Sequence, residues 1–338
     1  ENFETLIPDG EVAASGTVVS PALMNSAFTS SLPPFIDDVS RFPREPTSVD
    51  ETWISARVRG ALPATVTLHW SVDGDGPVAG LEMLDDGLHH DGDAADGVYG
   101  AGLPALPHHT EVRHWVTASG AAGERDYPLL ADPGSPAPAE LAGYYVSDPV
   151  DSSLPVVHVL LDSIDGTDVT PDNFASHFVA ANNSLRCNSM RVGSFAYRGD
   201  LWPAIGVRWR GNTACVIDKR NFKLKFHKAH KFRGVRKLNI NGIWTDKSLV
   251  RERLAWELVE QLGIPYVETE YFRVHVSGGY FGLFLAVEHP DERFLDRLGL
   301  DSSGSLYKAR QPSSGDEDGV EQWPTGTYPL HWEEEVNE

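Results

Sequence analysis

The chain has 338 residues, 41% of them hydrophobic, with 31 Gly and 23 Pro, and a formal charge of −21. That length suits about two cores rich in loops, and the negative balance speaks against a nucleic-acid partner, which it would repel. No run of 18 or more apolar residues offers a membrane span.

The charge is uneven along the chain. Residues 1–150 hold 6 Arg, no Lys and 23 Asp plus Glu, a balance of −17, whereas residues 191–253 hold 16 Lys plus Arg against 4 acids, a balance of +12. A basic segment inside an acidic protein suits either a phosphate-bearing small molecule or an ordinary solvated surface. The first residues show no basic stretch followed by an apolar run, so an export signal is expected upstream, and a chain beginning with Glu reads as a processed or excised piece. Cys187 and Cys215 allow at most one disulfide and otherwise stand as free thiols.

Residues 1–33, rich in Ser, Thr and Pro, read as a linker or the end of an upstream domain. Residues 48–58, 65–72 and 112–118 alternate polar and apolar side chains, the period of half-buried strands. Residues 34–132 are therefore expected to form an all-β sandwich similar to the Ig-like or fibronectin-type modules of bacterial exported proteins. Within it, Asp85, Asp86, Asp91, Asp93 and Asp96 gather among glycines. Such a loop suits calcium, which takes six to eight oxygens, or equally a run of turns in which each Asp caps its own backbone. His89 and His90 beside it point to opposite sides of an extended chain and read as solvated.

A Pro-rich linker is expected over 133–150, and an α+β lobe over 151–309. Its features are a buried strand at 156–161, further strands near 193–197, 205–210 and 221–226, one helix, and a hairpin turning at Ser277-Gly278-Gly279. On the stretch 219–226, Phe222, Leu224 and Phe226 alternate with Lys219, Lys223 and Lys225, so three ammonium groups are expected on one face, either as a phosphate site or as plain solvent face. The helix is expected to start at Asp246 as N-cap and to carry the apolar stripe Leu249, Val250, Leu254, Leu258 and Leu262 up to Gly263. Glu257 falls at the border of that stripe, placed to reach a strand lysine as in protein kinases. Residues 310–338 read as an acidic tail.

Across roughly 155–309 a succession of short blocks resembles the spore-coat protein H (CotH) kinase family. The blocks are Val207-Arg-Trp-Arg-Gly-Asn-Thr213, Lys219-Arg-Asn-Phe-Lys-Leu-Lys-Phe226, Lys237-Leu-Asn-Ile240, Asp246-Lys-Ser-Leu-Val-Arg251, Leu254-Ala-Trp-Glu-Leu258, Leu262-Gly-Ile-Pro265, Gly279-Tyr-Phe-Gly-Leu-Phe284 and Val287-Glu288.

The resemblance implies an atypical protein-kinase fold, truncated to its N-lobe, that binds ATP with Mg or Mn and phosphorylates Ser or Thr of a secreted or coat protein in the extracellular space or cell envelope. It implies that Arg210, Gly211, Lys219, Lys223, Glu257 and Glu288 contact the nucleotide, and that Asp246 and Arg251 set the helix start. The family's metal-binding and catalytic aspartates lie in blocks resembling N-Y-Y-L-Y and P-W-D-L-D, neither of which occurs in this sequence. No catalytic residue is therefore assigned, and the fragment is expected to be inactive alone. The Thr213-Ala-Cys stretch departs from the family's usual serine pair and leaves open a non-catalytic surface scaffold or adhesion protein with a pseudokinase lobe.

Overall fold

Strict alternation on Thr52–Arg59, with Thr52, Ile54, Ala56 and Val58 buried and their neighbours outward, makes a strand with one dry face. The computed structural model describes residues 33–60, 65–73, 75–128, 142–161, 168–174, 190–211, 219–304, 306–309 and 332–334. Strands β1 (Phe35–Phe42), β2 (Thr52–Arg59) and β5 (Val98–Leu103) form one sheet. Strands β3 (Thr65–Val72), β4 (Asp75–Glu82), β6 (Glu111–Gly120) and β7 (Gly123–Tyr127) form the facing layer in the order β4-β3-β6-β7. Ile54, Val66, Leu68, Val112 and Val116 fill the space between them. This is the Ig-like sandwich expected from the sequence.

The second unit corrects the sequence reading. It is a closed seven-stranded β-barrel, and the α+β kinase N-lobe is not found. Its strands are β9 (Val156–Leu161), β10 (Arg191–Tyr197), β11 (Asp200–Arg210), β12 (Asn221–Lys225), β13 (Lys237–Asn241), β14 (Thr269–Val276) and β15 (Gly279–Glu288). The ring runs β10-β9-β14-β15-β13-β12-β11 and closes because β10 pairs with both β9 and β11. Among the described strands only β9 and β14 pair in parallel. Gly193 lies at a bulge in β10, where a Cβ would stand 2.2 Å from Leu160 O; a bulge of this kind bends a strand around a barrel.

Alternating residues fill the lumen, among them Val159, Phe195, Val207, Trp209, Phe222, Leu224, Ile240 and Phe284. Each large side chain so buried stabilises the barrel by about 1.5–3 kcal/mol. Period two fixes which residues face inward but not whether the sheet closes, which is why pattern alone suggested an open lobe.

The helices among the described residues are α1 (Arg251–Gln261) and α2 (Glu292–Arg297), and α1 buries none of its residues. Among the described residues no helical layer covers the sheet, so the α+β description fails there on packing as well as on closure. A short pair, β16 (Tyr307–Ala309) with β17 (Trp332–Glu334), completes the described elements.

The two units share one continuous sheet. Strand β8 (Gly143–Tyr145), within the stretch 133–150, pairs with β6 on one side and with β11 on the other. Arg41 and Arg44 of the sandwich both reach Asp200 at the start of β11, at 2.8 and 3.0 Å.

Candidate functional site

The inward set on β12, Phe222 and Leu224, forces Lys223 and Lys225 outward. The same alternation on β11 turns Arg208 and Arg210 outward while Val207 and Trp209 enter the core. Register sets Arg208 beside Lys223, and Lys223 beside Asn239 of β13. Two guanidiniums and two ammoniums therefore share one outer face of the barrel.

That face is tied to its surroundings by two links. Arg210 donates to Asn241 Oδ1 at 2.9 Å, and Asn241 Nδ2 donates to Glu252 Oε1 at 2.8 Å, which joins β11, β13 and the first turn of α1. Burial pushes the Glu252 carboxyl above its usual range, against the Asn241 hydrogen bond and the Arg210 charge. On the other flank Lys223 Nζ lies 3.4 Å from Nε2 of buried His289, whose Nδ1 is 3.5 Å from Asn239 Nδ2. Next to it, Asp291 caps α2 through Arg293 N, and burial raises its carboxyl pKa.

The remaining residues singled out in the sequence take separate positions. Lys219 precedes β12; its Nζ donates to Leu283 O and sits 4.9 Å from the Phe284 ring centroid, and burial lowers its pKa. Gly211 follows β11 in a left-handed conformation, φ 94°. Glu257 pairs with Arg253 at 2.7 Å, one turn away on α1. Glu288 is buried and accepts from Arg293 and Arg297, both at 2.6 Å. Asp246 accepts from Arg251 N at 2.8 Å, so it serves the helix start from five residues ahead. Thr213, Cys187 and Cys215 lie outside the described residues.

Sequence reasoning missed Glu252, Asn241 and His289 because it assumed the apolar stripe of α1 to be buried. Leu254, Leu258 and Leu262 are instead 56%, 56% and 63% exposed. Arg253, Trp256, Glu257 and Glu260 line a cleft of about 660 Å³ between the helix and the barrel end. With the helix turned this way, Glu252 rather than Glu257 meets the basic face. The findable signal was its first-turn position beside the basic segment.

In the acidic loop the carboxylates of Asp85, Asp86, Asp91 and Asp96 cap backbone. Asp91 accepts from the N–H groups of Asp86, Gly87 and His89 at 2.7–2.8 Å. Asp85 takes those of Asp96 and Gly97, Asp86 that of Leu88, and Asp96 those of Asp93 and Val98. Burial works against ionisation of Asp91, but its three N–H donors outweigh it and the pKa is lowered. Among the described residues no three His, Cys, Asp or Glu side chains gather to hold a metal.

Residues 207–338 match the family described as CotH kinase protein, and residues 54–122 match the second Ig-like domain of conditioned medium factor. The inner spore coat protein H of Bacillus subtilis (strain 168) is 28% identical over 105 residues, covering 31% of this chain and 29% of that protein. The chain thus matches under a third of that relative's length. All four outward cations, Asn241, Glu252 and His289 fall inside the CotH-type segment.

Proposed function

We propose that this chain supplies the phosphate-contacting part of an exported CotH-like atypical protein kinase. That kinase transfers the γ-phosphoryl of ATP to a Ser or Thr hydroxyl of a secreted or coat protein in the extracellular space or cell envelope. The observation that carries this reading is the grouping of Arg208, Arg210 and Lys223 on one outer face, inside the CotH-type segment.

Guanidiniums engage phosphate oxygens in pairs, and a lysine adds a point charge, so the set suits a polyphosphate. In the transfer the bond from the bridging oxygen of ATP to the γ-phosphorus breaks as the hydroxyl oxygen bonds to phosphorus. Charge spreads over the phosphoryl oxygens, and positioned cations offset it. Asn241 and Glu252 hold Arg210 in place for that task.

The fit is partial. Phosphate donors are present, but the magnesium or manganese that accompanies ATP needs oxygen ligands, and the described residues gather none. No group among the described residues is assigned to hold metal or to orient the hydroxyl.

Calorimetry of ATP against the full chain and against an Arg210→Ala, Lys223→Ala double variant tests the reading. A loss of roughly 10-fold or more in affinity is expected from two charge-assisted contacts; equal affinity for both proteins rejects the phosphate face. A second reading, a non-catalytic scaffold, is favoured by Glu257 and Glu288, whose carboxylates are taken up by arginines. Absence of any ATP binding by the unmodified chain decides for it.

A further inference from the structure

Four imidazoles line the junction between the sandwich and the barrel, away from the basic face. His108 and His109 come from the sandwich loop before β6, with ring centroids 3.5 Å apart. His158 of β9 and His275 of β14 stand side by side in the parallel pair of the barrel, 5.2 Å apart. Tyr145 of β8, the strand shared by both units, sits among them. Its hydroxyl is 3.0 Å from His109 Nδ1, and its ring lies 4.7 Å from His158. The contact is tight at the β14–β15 turn: a Cβ on Gly278, whose φ is +86°, would stand 2.3 Å from His109 Cδ2.

Hydrogen bonds fix how several of these ring nitrogens accept and donate. Asp148 N donates to His108 Nδ1 at 2.8 Å, so that nitrogen carries no proton. Arg273 Nε points at His275 Nε2 at 3.3 Å, which leaves the proton on Nδ1, where it donates to Gly278 O at 3.2 Å. His158 is buried, and its Nδ1 has no hydrogen-bond partner among the described residues. A second proton on His275 would set N–H against the Arg273 guanidinium. A proton on His158 would place a charge in a dry site beside the other imidazoles.

The charged groups facing the cluster do not offset this. Arg273 of β14 is itself a cation, stacked on Tyr280 of β15 at 4.3 Å. Asp148 lies 3.9 Å from His108 Nδ1 and also draws His109 upward, but burial outweighs it there. Glu111 of β6 and Asp73 act on the Tyr145 side of the cluster and add negative charge there. Burial lowers His109 to about 4 and His158 to about 3, and also lowers His275, with neighbouring imidazoles adding to all three.

We propose that His108, His109, His158 and His275 form an acid-released latch between the Ig-like sandwich and the barrel. At neutral pH the uncharged rings pack and hold the units in one orientation. On acidification the open arrangement, in which the rings meet water, takes up protons that the closed one excludes.

The sign follows from linkage. Groups that bind fewer protons when closed penalise the closed state as pH falls below the ordinary histidine value of 6.5. The penalty grows until the lowered values near 4 and 3 are passed. At pH 5, relief of one such histidine multiplies the open population by roughly 30.

Hydrogen exchange on the full chain at pH 7.5 and 5.0, corrected for intrinsic rates, tests this. Peptides covering 143–147 and 275–279 are expected to exchange roughly 30-fold faster or more at pH 5.0, while one covering 222–226 in the barrel core stays protected. His108→Gln with His109→Gln should reduce that acceleration, leaving the share that His158 and His275 contribute. His275→Gln, on the barrel side, gives the same reading if the loop variant misfolds. Equal protection at both pH values, acceleration undiminished in both variants, or simultaneous loss of protection in 222–226 each overturns the latch.

Discussion

Arg41 and Asp200 meet 2.8 Å apart across the junction, the guanidinium side chain only 10% exposed and the carboxylate 36%. Burial lowers the Arg41 pKa against the pull of Asp200, and the cation lies 5.3 Å over the Tyr144 ring. Asp200→Asn leaves a nearly buried charge without its counter-ion. Loss of a fully buried pair costs 3–5 kcal/mol, and the openness of Asp200 reduces this to about 2 kcal/mol. Arg44→Ala, which removes a 78% exposed partner of the same carboxylate, should cost under about 0.5 kcal/mol. Urea unfolding of the two variants checks the contrast.

The barrel makes a second contrast. Phe222 is fully buried among Phe174, Trp209 and Phe284. Phe222→Ala should therefore destabilise the chain by about 3–5 kcal/mol. Leu258→Ala, on the exposed stripe of α1, should change stability by less than about 0.5 kcal/mol. A large loss at Leu258, measured by the same unfolding, would restore the buried-stripe reading of the helix.

Much of this was legible from alternation alone. Thr52, Ile54, Ala56 and Val58 announce one strand of the sandwich, and Phe222 and Leu224 announce the inward face of β12. What alternation does not encode is closure. Strands β10 and β11 join in a tight hairpin at Arg198-Gly199, but the parallel pairing of β9 with β14, strands far apart in the sequence, is what the ring also needs, and no local pattern marks it. Helix orientation was lost for a related reason. Leu254, Leu258 and Leu262 show that α1 has an apolar side but not that this side meets the barrel. Glu257 was consequently preferred to Glu252, and Asn241, a polar residue on a strand, gave no sign that it would bridge Arg210 to the helix.

The acidic loop offers a pH test. Asp91, 1% exposed, accepts three backbone N–H groups. A carboxylate with a depressed native pKa contributes stability above its ordinary value of 3.8 and loses it as pH falls through the lower native value. Asp91→Ala strands those donors and should cost about 2–3 kcal/mol at pH 7, with the difference from the unmodified chain closing below pH ~3.8. Calcium titration of the same proteins by calorimetry separates the two roles: capping alone gives no heat of binding at millimolar metal.

The bridge through Asn241 gives the sharpest test of the basic face. Asn241→Leu leaves every charge in place but removes the acceptor that holds Arg210 and the donor that satisfies Glu252. If Arg210 contacts phosphate, its loss of orientation should weaken ATP binding by roughly 3- to 10-fold, the scale of one charge-assisted hydrogen bond. Glu257→Gln, confined to the Arg253 pair, should leave affinity within about twofold, since an exposed i,i+4 pair contributes only about 0.3–0.5 kcal/mol.

The stability profile supplies an independent readout. Burial already raises the Glu252 carboxyl, and the Asn241 hydrogen bond opposes that rise. Without Asn241 the native pKa climbs further above the ordinary 4.5. A raised carboxyl adds stability only while protonated and loses it as pH rises. The cost of Asn241→Leu is thus expected to be small below pH ~4.5 and to grow on the way to neutrality, reaching about 2 kcal/mol. A cost independent of pH would mean that Glu252 finds water when Asn241 is gone. Unchanged ATP affinity would separate Arg210 from the phosphates altogether.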